Sequence, residues 1–266
     1  MLRSEERARL EGWRFQSPET AGFHEVIVPG KADCSAISVD RLNLPAGKGF
    51  DLRTGSQEMH PVLISGKARL SGAPFGGQEM KRFDSFYLPA EASVRIDAVE
   101  DCVFYIAGAH FDGIGAPSFR AYDANLPIGD IHQIHGAGAG RREVMFTLDT
   151  ATPASRLICG LTWGGLGTWT SWPPHQHEHD LEEAYCYFDM PAPKFGFHLS
   201  YLKSGETEDT VVHQVHSGTM VIAPRGYHPT VASPSVQNTY FWALASFRPE
   251  SRRYDLAILD PAFANS

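Results

Sequence analysis

Short runs in which apolar residues alternate with polar ones follow one another along most of this chain, and turn residues separate them. The first part contains HEVIVPG, SAISVDRLNLPAG, HPVLISGKARLSG, FDSFYLPAEASVRIDA and CVFYIAG, and the later part contains EVMFTLD, RLICGLTW, EEAYCYF, GFHLSYL, TVVHQV, GTMVIAP and TYFWALASF. Successive side chains of a strand point to opposite faces, so this pattern predicts antiparallel strands. Only residues 3–12 show a helical pattern, and we therefore predict an all-β fold with few short helices.

A segment rich in Gly, Pro and Asp separates the two series of strands. It covers residues 112–140 and ends in HGAGAGRRE, a composition typical of linkers. The chain has 266 residues, a length that allows about two domains. We predict an N-terminal extension at 1–22, a first β-unit at 23–111, the linker at 112–140 and a second β-unit at 141–266.

A faint internal repeat relates the two series. The segment from Asp84 to Ile96 matches the segment that starts at Gly218 in its apolar pattern and in the position of a proline, Pro89 in one and Pro224 in the other. Duplication of one small β-barrel explains this match, because closing each sheet removes unpaired edge strands. Chance similarity between two strand-turn-strand units is the alternative.

The charge balance and the N-terminus exclude several classes of partner. The 23 Lys and Arg against 31 Asp and Glu leave a net charge of −8, and no basic cluster stands out, which argues against nucleic acid. The start MLRSEERARLEGWRF has no apolar signal region, and no window resembles a membrane span of about 20 apolar residues. We therefore expect no membrane association and a cytoplasmic location.

Histidines are concentrated in the later part of the chain, where seven of the twelve lie between residues 175 and 228. His175 and His177 would share one face of a strand, Glu182 or Glu183 follows, and His228 comes after a Pro-Gly turn. Three imidazoles and a carboxylate would suit Zn, Mn, Fe, Co or Ni, and the ligand types alone do not choose among them. A polar surface loop is the alternative explanation.

The order H-x-H, Glu, then G-x5-P-x-G-x-H resembles the two motifs of the cupin superfamily, and the paired β-units resemble a bicupin. The stretches SWPPHQHEHDLEEAYCYF and VIAPRGYHPTVASP resemble the 5-deoxy-glucuronate isomerases of inositol catabolism, a family grouped with the 5-keto-4-deoxyuronate isomerases. The resemblance implies two cupin-type β-barrels of the jelly-roll kind. It also implies one divalent metal, with zinc the first candidate, held by His175, His177, Glu183 and His228.

The choice between the two adjacent glutamates rests on their neighbours. The family's ligand precedes an aliphatic-Tyr-x-Tyr run, which favours Glu183, whereas the general cupin spacing favours Glu182. The first half has no H-x-H motif and carries only His60 on the corresponding strand, so we expect it to bind no metal. The family's Gln-Arg pair is replaced here by residues from His198 onward, which leaves room for an altered substrate pocket.

By this resemblance the chain is a metal-dependent aldose-ketose isomerase of a deoxy-uronate, with 5-deoxy-glucuronate to 2-deoxy-5-keto-gluconate as the first candidate reaction. Such an enzyme needs a general base, and Tyr185 is the candidate because it shares a strand face with Glu183. It also needs a cation for the substrate carboxylate, and Arg225 in the turn before His228 is the candidate. The alternatives are a core tyrosine and an ordinary solvated arginine.

Two other functions use the same residues. An oxidative cupin enzyme such as a dioxygenase would hold Fe or Mn with the same His3Glu set, and a non-catalytic bicupin would only bind a sugar acid. The apolar run TYFWALASF is compatible with a core strand or with an interface, so the sequence leaves a homo-oligomer open.

Overall fold

The computed structural model describes residues 3–263, most of which lie in β-strands or in the turns between them. Among these residues there is one α-helix, α1 (Ser4–Glu11), close to the predicted stretch 3–12. Glu5 and Glu6 in its first turn favour helix formation through the helix dipole, and its buried Leu10 docks it on the core. The all-β prediction is confirmed. No helix in this part of the chain is both long and apolar enough to cross a membrane.

The strands are short and follow in close succession. Up to residue 120 they are β1 (Arg14–Gln16), β2 (Gly22–Ile27), β3 (Ser38–Leu44), β4 (Gly49–Arg53), β5 (Gln57–Ser65), β6 (Ala68–Ser71), β7 (Gln78–Met80), β8 (Ser85–Tyr87), β9 (Ser93–Ala98), β10 (Cys102–His110) and β11 (Ser118–Arg120). Later strands are β12 (His132–His135), β13 (Arg142–Leu148), β14 (Leu157–Leu166), β15 (Trp169–Thr170), β16 (His175–Gln176), β17 (Leu181–Tyr187), β18 (Gly196–Ser200), β19 (Val211–Val215), β20 (Thr219–Ala223), β21 (Thr230–Ala232), β22 (Gln237–Ser246) and β23 (Ile258–Leu259). Single 3-10 turns occur at Gly138–Gly140, Thr207–Asp209, Pro249–Ser251 and Pro261–Phe263.

In the first half, a six-stranded antiparallel sheet packs against a four-stranded one. The strand order of the larger sheet is β11-β8-β5-β10-β3-β2, and that of the smaller one is β4-β9-β6-β7. A single hydrophobic cluster joins Leu42 and Phe104 of the larger sheet to Leu52 and Ile96 of the smaller. The space between these sheets is therefore a hydrophobic core.

The second half repeats this arrangement with a larger sheet. The order β1-β20-β17-β22-β14-β13-β12 faces the four strands β15-β21-β18-β19, and the two-stranded β16-β23 lies beside them. Tyr185 and Val221 of the first of these sheets share a hydrophobic cluster with Val215 and Ala232 of the second. The cluster covers only part of this interior, and the remainder carries polar side chains.

The two large sheets pack against each other and join the halves. Their shared cluster includes Val39 and Val62 from the first half with Leu161, Ile222 and Ala243 from the second. Strand β22 is consequently buried on both faces within one chain, since all its residues after the first are buried. This explains the unbroken apolar run TYFWALASF as a core strand.

Two buried glutamates, one from each half, stabilise this junction by accepting hydrogen bonds from the opposite half. Glu58 of the first half accepts hydrogen bonds from the backbone N–H groups of residues 155–157, each at 2.7 Å. Glu182 of the second half accepts them from the N–H groups of residues 35–37 at 2.7 to 2.9 Å. Each carboxylate thus pairs the backbone N–H groups of the segment that leads into a strand of the other half. Left unpaired in this buried setting, these N–H groups would lower the stability of the fold.

The terminal and connecting segments also contribute strands. Strand β1, from the predicted N-terminal extension, pairs with β20 of the second half. Within the predicted linker, β11 pairs with β8 in the first half and β12 pairs with β13 in the second. The division into units at 23–111 and 141–266 remains a proposal, and residues 112–140 supply each half with an edge strand.

Candidate metal centre and its cavity

Strand β17 supplies the carboxylate of the candidate site. It lies between β20 and β22 in the middle of its sheet, and Glu183 pairs with Ala223 on one side and Leu244 on the other. Alternation sends Glu183 and Tyr185 into the interior of the second half, whereas Glu182 points to the first half and binds its backbone. Both glutamates are buried, but they lie on opposite faces of the strand and therefore contact different halves of the protein.

The three histidines come from two segments that enter this interior from different sides. His175 lies on β16, where it pairs with Leu259 of β23, and His177 follows it. His228 precedes β21, after a turn in which Gly226 has a φ of 72°. A side chain at Gly226 would place its Cβ 2.5 Å from the carbonyl oxygen of Tyr201, so this turn requires glycine.

These residues form a compact group. One potential ligand atom from each of His175, His177, Glu183 and His228 lies within 4.8 Å of the others. Glu183 Oε2 is 3.3 Å from His177 Nε2 and 3.0 Å from His228 Nε2. The imidazole ring centroids are 4.9 to 5.5 Å apart. The structure therefore brings together the four residues that the sequence resemblance assigned to a metal.

The chemistry of this group fits a divalent transition metal. The Nδ1 atoms of His175 and His228 lie 3.0 and 3.1 Å from the carbonyl oxygens of Pro173 and Gly226, an arrangement that leaves Nε2 free to bind a cation. Glu183 Oε2 and His228 Nε2 are buried, and although they lie 3.0 Å apart, neither atom has hydrogen-bond geometry with the other or with any other described residue. Unpartnered buried polar atoms are unfavourable by about 1 to 3 kcal/mol each, and a bound cation would remove that penalty.

The electrostatics favour the protonation states that metal ligands require. Burial lowers the pKa of His175 well below its usual range, and the nearby His228 and His177 lower it further. Burial by itself would raise the pKa of the Glu183 carboxyl, but contacts with His177 and His228 outweigh this effect and hold that pKa well below its usual range. A neutral imidazole and an ionised carboxylate are the forms that bind a metal.

Three of the four residues, His175, His177 and Glu183, form part of the wall of a cavity of about 180 Å³. Aromatic side chains form much of the remaining lining, and they come from the loop before β16, from β17, from β22 and from the C-terminal segment, namely Trp172, Tyr185, Tyr240, Trp242 and Tyr254. Polar side chains also line it, among them His135 at the end of β12, Arg142 at the start of β13, and the hydroxyl residues Thr162 and Ser171. Such a cavity could enclose a small polar molecule against the four residues.

Tyr185 lies in this lining next to the group. Its hydroxyl donates a hydrogen bond to Ser171 Oγ at 3.3 Å, and its ring centroid is 4.8 Å from that of Tyr240 and 5.8 Å from that of His228. Burial, followed by the charge of Glu183, raises the pKa of the Tyr185 phenol well above its usual range. Its expected role in proton transfer stays a prediction.

Arg225, the candidate for binding the substrate carboxylate, does not line this cavity, and its role stays a prediction. Its Nη1 is 3.5 Å from Glu6 Oε1, and its guanidinium carbon lies 6.0 Å from the centre of the Trp13 ring. It lines a separate charged cavity together with Glu178 and Lys203. The turn after β20 directs residue 225 outward and His228 inward, and sequence spacing could not distinguish these directions.

Several residues that line the cavity were not predicted from the sequence. His135 and Arg142 flank the glycine-rich stretch that was interpreted as a connector, and Tyr254 and Leu259 belong to the C-terminal segment. Their one signal was a pair of polar residues beside the glycine-rich turn at the end of the predicted linker. Nothing in the sequence indicates that β12, β13 and the C-terminal segment meet at one cavity.

Comparison with known proteins identifies relatives over nearly the whole chain. Residues 15–265 match the KduI/IolB family. A 5-deoxy-glucuronate isomerase of Geobacillus kaustophilus is 28% identical over 247 residues, which cover 86% of each chain, and one of Bacillus subtilis strain 168 is 26% identical over 237 residues, or 82% of this chain and 83% of the relative.

Solved structures show the same fold. The crystal structure of an IolB-like protein from Salmonella typhimurium LT2 aligns with a TM-score of 0.81 at 21% identity, covering 95% of this chain and 98% of that one. A cupin 2 conserved barrel domain protein from Leptotrichia buccalis aligns with a TM-score of 0.51 at 10% identity, covering 86% and 91%. The predicted bicupin fold is confirmed.

Proposed function

Because this chain belongs to the KduI/IolB family, we propose that it is a metal-dependent aldose-ketose isomerase of a deoxy-uronate. The substrate we propose is 5-deoxy-glucuronate, converted to 2-deoxy-5-keto-gluconate in inositol catabolism, since relatives that span most of the chain carry the name 5-deoxy-glucuronate isomerase. The observation that carries the proposal is the group of three histidines and one glutamate, of which two histidines and the glutamate line an aromatic cavity. The proposed partner is a small sugar acid, and a cytoplasmic location and a homo-oligomer stay proposals from the sequence.

His175, His177, Glu183 and His228 are the proposed ligands of one divalent transition metal. Zinc is the first candidate, and the same donors would accept Mn, Fe, Co or Ni. When bound, the metal supplies Lewis acidity that polarises the neighbouring carbonyl and hydroxyl oxygens of the sugar. The backbone carbonyls of Pro173 and Gly226 orient two of the imidazoles toward it.

The protein's remaining task is to move a proton between two neighbouring sugar atoms while excluding water. Tyr185 is the proposed proton-transfer residue, because its hydroxyl lies in the cavity lining and Ser171 orients it. Tyr240 and Trp242 of β22 and Tyr254 of the C-terminal segment supply aromatic surface that would displace water from the bound sugar. These side chains would contact any substrate that is bound at the four-residue group.

The test is an anaerobic NMR assay of the metal-loaded protein with 5-deoxy-glucuronate and 5-keto-4-deoxyuronate in parallel samples. We expect conversion of 5-deoxy-glucuronate to its ketose isomer without oxygen or any redox partner. Chelator-treated protein should be inactive and should recover on reloading with metal. Turnover that requires oxygen would overturn the proposal in favour of an oxidative cupin enzyme. Metal retention without turnover of either sugar acid would overturn it in favour of a binding protein.

A further inference from the structure

We propose that Arg142 is the carboxylate receptor of the cavity and the residue by which this protein selects sugar acids over neutral sugars. The inference rests on the proposed function, because it names the group that would hold the acidic end of the substrate. It is carried by the placement of the guanidinium, by its lack of an acidic partner and by the charge of the surrounding wall.

The placement of Arg142 leaves part of its guanidinium available to a ligand. It is the first residue of β13, pairs with Gly164 and lines the same cavity as three members of the four-residue group. Its Nη1 donates to the carbonyl oxygens of Trp172 at 2.7 Å and Gly140 at 3.3 Å. Both hydrogen bonds that the guanidinium makes among the described residues use this one nitrogen. The anchored fork can therefore present its other N–H groups to a carboxylate.

Arg142 forms no ion pair with a carboxylate in the part of the chain between residues 3 and 263, although it is half-buried. Two other half-buried arginines are paired, Arg120 with Asp149 at 2.8 Å and Arg156 with Asp112. Arg252 forms no ion pair among the described residues, but its three guanidinium nitrogens all donate to backbone carbonyls, whereas Arg142 uses only one. Removing an arginine from water without an opposite charge is unfavourable, so a cavity that keeps one unpaired is suited to a bound anion.

The wall around Arg142 has the charge that an acidic ligand requires. Glu183 is the one carboxylate among the described residues lining this cavity, and it already contacts His177 and His228. With a divalent cation on the four-residue group, the lining would carry a net positive charge inside a protein whose total is −8. A local positive field of this kind attracts an anionic sugar in spite of the overall negative charge.

Arg142 could instead serve only to stabilise the local structure, and this alternative leads to different expected results from carboxylate binding. Its hydrogen bond to the Trp172 carbonyl could merely position the loop that leads to His175. Substitution would then release the metal and slow turnover of every substrate alike. A receptor role predicts that the metal stays bound and that only ligands with a carboxylate are affected.

The kinetic experiment compares metal-loaded wild type, Arg142→Gln and Arg142→Lys with 5-deoxy-glucuronate. We expect Arg142→Gln to raise KM by about tenfold to a hundredfold, and Arg142→Lys to raise it less, because lysine keeps the charge but loses the fork. Bound metal should stay at the wild-type level. The neighbouring exposed Arg141→Gln is the matched control and should leave KM unchanged. A rise in KM for Arg225→Gln with none for Arg142→Gln would overturn the proposal.

A binding experiment separates this proposal from the proposed function. The same proteins are titrated by calorimetry with D-glucuronate and with D-glucose, which differ at the carboxylate. We expect Arg142→Gln to weaken glucuronate binding at least about tenfold and to leave glucose binding unchanged. That result would support the receptor even if no uronate is isomerised. Equal weakening for both sugars, loss of metal from both Arg142 variants, or no glucuronate binding by the wild type would contradict it.

Discussion

The two halves of this protein share one architecture, yet among residues 3–263 only the second half carries a candidate metal centre. Strands β5 and β17 occupy equivalent places, since Glu58 on one and Glu182 on the other each bind three consecutive backbone N–H groups of the opposite half. The residue after each glutamate points into the interior of its own half. It is Met59 in the first half and Glu183 in the second.

The pairing of the next strand confirms this equivalence. Met59 bridges to Leu88 and Glu183 pairs with Ala223, and a proline follows each of these partners. The faint repeat in the sequence therefore corresponds to a repeated register. Counted from the two prolines, the position of His228 corresponds to Ser93, so the first half lacks this ligand as well.

The difference between the halves shows how one scaffold can be either a hydrophobic core or a binding site. Met59 packs among leucine and phenylalanine side chains in the hydrophobic cluster between the two sheets of the first half. At the equivalent point the second half has a carboxylate, imidazoles and a cavity. Changing a few inward-facing residues exchanges stabilising apolar contacts for donors that hold a cation, while the shared sheet framework is kept.

Converting the second half toward the first should have the largest effect. Glu183→Met removes the carboxylate from the four-residue group, so we expect loss of bound metal and a fall in isomerase activity of at least about a thousandfold. Metal is measured by mass spectrometry and activity by NMR. The matched control is His179→Ala, whose side chain is 71% exposed and should matter to neither. Undiminished metal in folded Glu183→Met protein would contradict the proposed ligand set.

The reciprocal change should damage stability instead. Met59→Glu places a carboxylate among apolar side chains without a cationic partner, and we expect the free energy of unfolding to fall by about 3 to 5 kcal/mol. Urea denaturation measures this loss, and Met59→Leu should lose less than about 1.5 kcal/mol. A well-tolerated Met59→Glu would show that the first interior is less strictly apolar than its packing indicates.

Substitution of either of the two glutamates at the junction should lower the stability of the protein by a similar amount, because the two halves are equivalent at this point. Glu58→Gln and Glu182→Gln each replace a carboxylate that binds three N–H groups, and we expect each to lower the free energy of unfolding by about 2 to 3 kcal/mol. Metal content should stay unchanged in both. The exposed Glu79→Gln serves as the control. Loss of metal from Glu182→Gln would mean that Glu182, and not Glu183, is the ligand.

The smallest effect concerns the junction, where His60 of the first half is matched by Ala184 in the second. Burial, reinforced by the charge of Arg120, lowers the pKa of His60 to about 3. In the unfolded chain the pKa of His60 is about 6.5. Between about pH 6.5 and about pH 3 the unfolded chain therefore binds a proton that the folded protein does not, so the free energy of unfolding decreases as the pH falls through this range. We expect His60→Gln to reduce this loss by up to about 1.4 kcal/mol per pH unit between pH 6 and pH 4.

Urea titrations at several pH values give this slope. Exposed His110→Gln provides the comparison, and its slope should equal that of the wild type. An unchanged slope in His60→Gln would show that this imidazole accepts its proton in the folded protein. His60 Nε2 and Thr147 Oγ1 form a hydrogen bond of 3.0 Å across the junction, so glutamine is a suitable replacement because it keeps a polar group there.

The sequence by itself determined the all-β class, the succession of most strands along the chain and the residue types of the candidate centre. Those features depend on local spacing, because alternation along a strand and the H-x-H and P-x-G-x-H patterns place side chains relative to their near neighbours. The same locality explains why the helix near residues 3–12 could be predicted, while the edge strands β11 and β12 inside the expected linker could not.

Only the tertiary structure shows that Glu183 faces the second interior while Glu182 faces the first half, and that Arg142 lines the cavity while Arg225 does not. Both faces of β17 are buried, so alternation separates the two glutamates without revealing which face looks into the second interior. Arg142 reaches the cavity because β13 lies in the same sheet as β17, and Tyr254 reaches it because the C-terminal segment pairs with β16. Convergence of distant residues depends on strand order and sheet packing, which no local pattern encodes.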